Sequence, residues 1–138
     1  LARAKDPHAL SLDAFRLISF PHDVLNISML TELCLKENEI RSVPPTISKL
    51  TQLEIIDFSY NAIEQLPAAI GKLTGLIRMD LSNNRLQHLP AEVGYCQLLV
   101  NLDLSGNPLV GPIIDLTKRP VKDVLTYYEA MLEAQQTG

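Results

Sequence analysis

The side chains of this sequence that are able to do chemistry recur at a constant spacing and do not cluster. Three aspartates each stand two residues before a serine, in the pairs Asp57 and Ser59, Asp80 and Ser82, and Asp103 and Ser105. No histidine recurs in register with these serines, so nothing would activate them as nucleophiles. The histidines His8, His22 and His88 are scattered and lie at no metal-ligand spacing from a cysteine or an acid. The pattern predicts no enzyme activity, no metal site and no cofactor.

The aspartates recur because the chain itself repeats every 23 residues. Four segments line up, and they begin at Leu30, Leu53, Leu76 and Leu99. A ladder of asparagines repeats in phase with them, at Asn38, Asn61, Asn84 and Asn107. A weaker copy covers residues 7–29, where Pro7 and Phe15 replace the leading Leu and the Asn. A repeat of this length predicts a stack of similar coils.

Each coil has a strand, a turn and an outer segment. The alternation around Leu33 and Leu35 is typical of a short strand with both leucines pointing inward. The ladder asparagine then ends the strand, because its amide offers donors and acceptors to the backbone of the turn. The proline after it stops strand pairing and directs the chain to the outer face. One coil cannot bury its apolar side alone, so stacking must bury it. Strands stacked about 4.8 Å apart give a slab about 20 Å wide.

The pattern resembles the leucine-rich repeat, in its 23-residue form with an outer LPxxIxxLxxL segment, as in LPAAIGKLTGL at residues 66–76. That form is typical of the intracellular Ras-group proteins, such as Ras-suppressor, Scribble and Erbin-like scaffolds. The resemblance covers about residues 7–130. It implies an α/β solenoid: a horseshoe segment of about five coils with a parallel concave sheet, an irregular or short-helical convex side and a C-terminal capping helix. It also implies a protein partner, such as a small GTPase or a signalling scaffold.

The predicted organisation has four parts. An N-terminal lead covers residues 1–6, an irregular first repeat 7–29, the leucine-rich repeats 30–111, and a C-terminal capping helix with its tail 112–138. In the last part, apolar residues follow helical spacing, namely Val121, Val124, Leu125, Tyr128 and Leu132. We expect this helix to cover the exposed end of the core. Docking of a neighbouring domain on the same helix is the alternative.

Composition and cysteine usage limit the class of partner and the cellular compartment that we expect for the chain. A net charge of −4 argues against nucleic-acid binding, which needs a basic surface. No run of 18 apolar residues occurs, so no membrane insertion is expected. Cys34 and Cys96 are expected on opposite sides of the sheet, nearly three coils apart, which is too far for a disulfide. The Cys-rich caps usual in secreted relatives are missing, so we expect a cytoplasmic protein.

The candidate binding surface is the concave face. The outward strand positions and the turn positions after them are expected to contact a protein partner: Glu32, Lys36, Glu37, Ile55, Asp57, Tyr60, Arg78, Asp80, Asn83, Asn101 and Asp103. Ile55 and Tyr60 stand out because they are apolar or aromatic at positions predicted to face solvent. The three aspartates are expected to stack in a column with the serines in a parallel column beside them. Such a column would suit a basic partner, although an aspartate followed two residues later by a serine is also usual in a strand of this repeat.

These observations favour a non-catalytic interaction module. It would bind a protein partner on its concave sheet, in intracellular signalling or scaffolding. The alternative is a regulatory or targeting segment of a larger enzyme, a kinase, a GTPase or a ubiquitin ligase, whose catalytic domain lies outside these residues. A third possibility is an assembly subunit that associates with itself through the outer face or the C-terminal helix.

Overall fold

A computed structural model describes residues 7–137; the predicted lead over residues 1–6, and Gly138, lie outside the described residues. Five short strands form a single parallel sheet in chain order: β1 (Ala9–Ser11), β2 (Glu32–Cys34), β3 (Ile55–Asp57), β4 (Arg78–Asp80) and β5 (Asn101–Asp103). Each residue pairs with the residue 23 positions further on, so that Leu10 faces Leu33. The repeat period of the sequence is therefore the register of the sheet.

The convex side is built from 3₁₀ helices of five residues, one after each of β1 to β4: His22–Asn26, Pro45–Lys49, Ala68–Lys72 and Ala91–Tyr95. Each is preceded by an extended proline, for example Pro67 with φ −75° and ψ 152°. Proline has no backbone N–H to add to a sheet and its φ suits the start of a helical turn. The prolines thus turn the chain from the sheet to the outer layer.

The core fills the space between the sheet and the 3₁₀ helices and is continuous through the stack. The inward residues of the middle strands, Leu33, Ile56 and Met79, are at most 1% exposed. Two phenylalanines join coils across the core, since the rings of Phe20 and Phe58 pack edge to face with centroids 6.3 Å apart. The expected α/β solenoid with a parallel sheet and a short-helical convex side is confirmed.

The chain leaves the repeat after β5 and ends in two helices, α1 (Ile113–Leu116) and α2 (Val121–Thr137). Helix α2 packs on the last 3₁₀ helix and buries its apolar stripe there. The approach is close, because a Cβ built on Gly94 lies 2.8 Å from the backbone nitrogen of Glu129. Helix α2 therefore covers the convex half of the last coil. No helix within residues 7–137 has the length and apolarity needed to cross a bilayer.

Candidate functional site

Two rows of side chains run across the concave sheet, perpendicular to the strands. In the first row Glu32 pairs with Ile55, Ile55 with Arg78, and Arg78 with Asn101. In the second row, which we call the acidic row, the aspartates Asp57, Asp80 and Asp103 occupy adjacent strands. Cys34 holds the same position on β2. Neighbouring members of a row lie on strands about 4.8 Å apart, so both rows are continuous surfaces.

Each aspartate of the acidic row is bonded within its own coil. Oδ1 of Asp57 accepts the backbone N–H of Ser59 (3.0 Å) and its hydroxyl (2.7 Å), and the other two pairs repeat this geometry. Ser59 and Ser82 are buried, so the serine column expected beside the aspartates on the open surface is wrong for these two residues. The serines hold Oδ1 of each aspartate, and these bonds leave Oδ2 for a partner.

Beyond the strand ends lies a row of residues in the left-handed backbone conformation. Glu37, Tyr60, Asn83 and Gly106 have φ of 60°, 56°, 57° and 73°. Asparagine and glycine tolerate this conformation, whereas a bulky residue rarely adopts it. Tyr60 nevertheless adopts it, and its side chain is 53% exposed. We call these four residues the left-handed row.

Gly106 fits the left-handed row for a second reason. A Cβ at this position would overlap with Oδ1 of Asn83, and it would lie only 2.9 Å from Cγ of the same side chain. The Asn83 side chain therefore occupies the space that a larger residue at position 106 would need. Asn83 and Gly106 are residue types enriched at positive φ, and this is the signal from which the sequence could have revealed the row.

A shallow groove crosses the sheet at the first row and the acidic row. Ile55, Arg78, Asn101 and Asp80 are among its lining residues. Ile55 is half-buried and Arg78 is exposed. Within residues 7–137 the guanidinium of Arg78 has no ion-pair partner, although the acidic row runs beside it. Its donors are therefore available to an incoming ligand.

The thiol of Cys34 on β2 lies near three acidic side chains of the concave face. Burial, followed by the negative charges of Glu32, Asp13 and Asp57 in that order, raises the pKa of Cys34 to about 12. The thiol lies 3.7 Å from Oε2 of Glu32 and donates to it. Such a thiol stays protonated near neutral pH, so it is a poor nucleophile.

The asparagine ladder bonds to backbone only and lies behind the binding surface. Oδ1 of Asn61 accepts the N–H of Ile40 (3.0 Å), and its Nδ2 donates to the carbonyls of Leu35 (2.9 Å) and Phe58 (3.0 Å). Each side chain thus joins its own turn to the preceding coil. Asn38, Asn84 and Asn107 make equivalent bonds.

The predicted partner-binding residues fall into three groups. Glu32, Ile55, Arg78 and Asn101 share the first row, while the aspartates share the acidic row. Glu37, Tyr60 and Asn83 belong to the left-handed row, past the strand ends. Lys36 stands between strand and turn, half-buried, with its backbone N–H bonded to Oδ1 of Asp13 (2.8 Å). Among the described residues no group of three or more His, Cys, Asp or Glu is placed to hold a metal ion.

Comparison with protein families finds the same repeat. A leucine-rich repeat family model matches residues 28–86, and a second leucine-rich repeat model matches residues 98–119. The first match includes β2, β3 and β4, and the second includes β5, so together they contain four of the five strands. No curated protein matches the chain.

Several solved structures share the fold. A leucine-rich repeat protein of Leptospira interrogans is 29% identical with a TM-score of 0.66, covering 80% of this chain and 34% of that one. The BIR3–SERK2 complex from Arabidopsis thaliana contains a chain that is 30% identical with a TM-score of 0.67, covering 74% and 57%. The ectodomain of the receptor kinase SOBIR1 from the same plant is 27% identical with a TM-score of 0.58, covering 66% and 51%. The chain thus spans about a third of the first structure and little more than half of the others. The 23-residue repeat, the parallel sheet and these matches together show that the chain has the leucine-rich repeat fold.

Proposed function

We propose that this protein is a non-catalytic interaction module that binds a protein partner on its concave sheet, in intracellular signalling or scaffolding. The observation that carries the proposal is Tyr60, an aromatic side chain more than half exposed on a backbone with φ 56°. Folding alone does not favour this residue there, since asparagine or glycine would fit the conformation better. Strained, exposed positions of this kind are concentrated at ligand-binding sites.

The strands of the concave sheet supply the other components of a protein-binding surface. Ile55 offers an apolar contact at the groove, and Arg78 offers unpaired donors beside it. Tyrosine and arginine are the residue types that most often dominate the energy of such interfaces. The acidic row adds charge that would steer a partner with basic residues. A small GTPase or a signalling scaffold is the class of partner that the resemblance to Ras-group proteins favours.

A cytoplasmic location belongs to the same proposal. Both cysteines are free, and they occupy different layers of the molecule. Cys34 lies on the concave strand β2, whereas Cys96 is buried beneath the last 3₁₀ helix. Free thiols persist where glutathione and thioredoxin keep them reduced.

A cross-linking pull-down from cell lysate tests the concave site. The wild-type chain is compared with the double variant Tyr60→Ala/Arg78→Ala and with the control Tyr95→Ala/Arg41→Ala, which removes the same residue types from exposed positions elsewhere. The proposal expects a partner captured by the wild type and by the control, with at least tenfold less captured by the concave variant. Equal capture by all three would place the site elsewhere, and thermal melting of each variant verifies that folding is intact.

A second candidate function is a regulatory or targeting segment of a larger enzyme, a kinase, a GTPase or a ubiquitin ligase. Similarity to the ectodomain of a receptor kinase favours it, as does the short span of this chain relative to that ectodomain. The complete reading frame distinguishes the two functions. A catalytic domain before Leu1 or after Gly138, whose activity or location changes when residues 1–138 are deleted, supports the regulatory or targeting segment. A reading frame without a catalytic domain supports the interaction module.

A further inference from the structure

The backbone bonds between coils form a ladder that repeats without interruption from β1 to β5. The N–H of the residue directly after each of β1 to β4 donates to a carbonyl of the next coil at 2.8–2.9 Å; these residues are Leu12, Leu35, Phe58 and Leu81. A second set of N–H groups, in the turns that follow the strands, also donates to carbonyls of the next coil, at 2.8–3.0 Å. These groups belong to Ala14, Glu37, Tyr60 and Asn83. The carbonyls that precede the strands each accept two N–H groups from the next coil, as Ile77 does from Val100 and Asn101.

The ladder stops at β5 with the corresponding groups unused. Among residues 7–137, the N–H groups of Leu104, Gly106 and Leu109 and the carbonyl of Val100 have no hydrogen-bond partner. Leu104 is only 4% exposed. More than nine in ten buried backbone N–H groups in folded proteins are paired. Leu104 lines the open edge of the sheet, where a further strand could accept its N–H.

The core is also open at this edge. Leu102 is half-buried, whereas its equivalents on β2, β3 and β4 are at most 1% exposed. A cavity lies beside β5, and its lining includes Leu102, Leu109, Ile114 and Thr117. Helix α2 leaves this cavity uncovered, since it packs on the last 3₁₀ helix on the convex side. The solenoid is therefore capped on its convex half and open on its sheet half.

We propose that the edge of β5 binds an extended segment of a partner protein as a sixth parallel strand. The unused groups at Val100, Leu104 and Gly106 repeat the spacing of the parallel ladder and so specify both the conformation and the direction of the segment. An apolar side chain of the segment would fill the cavity over Leu102 and Ile114. Main-chain pairing supplies the affinity and alternate side chains supply the specificity.

Charge selects the outward side chains of the segment. The position beside Asp103 continues the acidic row by one strand, so a Lys or Arg there would meet a carboxylate about 4.8 Å away. Asp115 on α1 is also exposed, but it forms an ion pair with Lys118 (3.8 Å), so Asp103 carries the charge selection. A second copy of this chain is disfavoured as the occupant because it carries the same net charge of −4. The occupant is a foreign strand with basic residues outward and apolar residues inward.

A synthetic peptide tests this site. The probe is a seven-residue peptide, blocked at both ends, in which lysine alternates with leucine or valine, and the readout is the amide spectrum and hydrogen exchange of the isotope-labelled protein. We expect saturable binding that slows exchange at Leu104 and Gly106 by at least tenfold. N-methylation of the peptide amides that face β5 should weaken binding by roughly tenfold or more. Replacing lysine by glutamate should weaken it as well.

Protein variants locate the charge effect. Asp103→Asn keeps the oxygen that accepts the Ser105 bonds and removes the charge, so it should weaken the peptide roughly twofold to fivefold at low salt. Asp23→Asn, on the first 3₁₀ helix, makes the same change remote from β5 and should leave binding unaltered. Each of several results overturns the proposal: no binding at millimolar peptide, undiminished binding of the N-methylated peptide, or protection confined to Tyr60 and Arg78. A dimer that protects the edge amides without peptide would identify a second copy as the occupant and overturn it too.

Discussion

At the scale of single residues, Tyr60 and Asn61 are adjacent in the chain but have opposite effects on stability. Asn61 connects two coils through three strong hydrogen bonds to backbone groups. Tyr60 has an exposed ring and a strained φ of 56°. The fold therefore requires the amide, whereas it only tolerates the tyrosine. A residue that costs stability and faces solvent is the type that function retains.

Replacing Tyr60 by asparagine should stabilise the protein. The left-handed conformation costs an ordinary residue about 1 kcal/mol or more, and asparagine adopts it more readily. We expect the free energy of unfolding in urea to rise by about 0.5–1 kcal/mol. Tyr95→Asn is the control, because Tyr95 is also exposed but ends a 3₁₀ helix and has no positive φ. A loss of stability in Tyr60→Asn would mean that the ring makes contacts that stabilise the fold.

Replacing Asn61 by alanine should destabilise the protein markedly. The N–H of Ile40 would lose its acceptor, and the carbonyls of Leu35 and Phe58 would lose a donor. Each unsatisfied group costs about 1–3 kcal/mol when buried, so the free energy of unfolding should fall by at least about 2 kcal/mol. Asn26→Ala, at an exposed position, should change it by less than about 0.5 kcal/mol. Equal melting temperatures for the two variants would contradict the structural role of Asn61.

The Cys34 thiol should react slowly with iodoacetamide. With its pKa raised from 9.0 to about 12, the thiolate fraction at pH 8 is roughly a thousandfold below that of an ordinary thiol. The alkylation rate, measured by mass spectrometry of the Cys34 peptide, should therefore keep rising beyond pH 10. Glu32→Gln removes the nearest negative charge and should raise the rate at pH 8 several-fold. The urea-unfolded chain, reacting at the ordinary rate, is the control.

The same shift has a consequence for stability. Because the folded state favours the protonated thiol, its contribution to stability is complete below pH 9, the unfolded pKa. It is lost as the pH rises from 9 to about 12. A folded chain whose Cys34 titrates near pH 9 would contradict both expectations.

At the scale of elements, the contact between the last 3₁₀ helix and α2 depends on a glycine. A Cβ at Gly94 would lie 2.8 Å from the nitrogen of Glu129 and 3.0 Å from the carbonyl carbon of Tyr128. Backbone atoms of a helix cannot rotate away as a side chain can. The convex cap therefore tolerates no side chain at this position without moving α2.

Replacing Gly94 by alanine should loosen the cap. Overpacking of this kind costs about 1–3 kcal/mol, which urea unfolding would detect. Gly75→Ala is the matched control, since its Cβ would meet only the Leu53 carbonyl at 3.4 Å and its φ is not positive. That variant should be neutral or slightly stabilising, because alanine lowers the entropy of the unfolded chain. If both variants unfold alike, α2 does not depend on close contact at Gly94.

At the scale of the whole molecule, stability should decrease from the middle coils toward the ends. Each coil contacts only its neighbours, so β3 and β4 have support on both sides. We expect native-state hydrogen exchange to be slowest at Phe58 and Leu81, and at least tenfold faster at Leu12 and Ala14, although all four amides are hydrogen bonded. Uniform exchange across the four would mean that the solenoid opens as a single unit.

Most of the fold could be predicted from the 23-residue period. A constant spacing of Leu33, Ile56 and Met79 allows one stacking register only, because a shift by one residue would turn these side chains to solvent. The concave position of Ile55, Arg78 and the acidic row follows from the same alternation. These features depend on neighbours in the chain and on the repeat, and both are visible in the sequence.

The tertiary structure decided the features that depend on partners in other coils or on local backbone angles. The Asp–Ser period does not show that Ser59 is buried, and the close fit of Gly94 on α2 leaves no periodic signal. The open edge at β5 is the main case, because the sequence predicts a capping helix but not which half of the end it covers. Apolar spacing thus determined the stack, whereas the path of the chain after β5 decided which backbone groups were left without a partner.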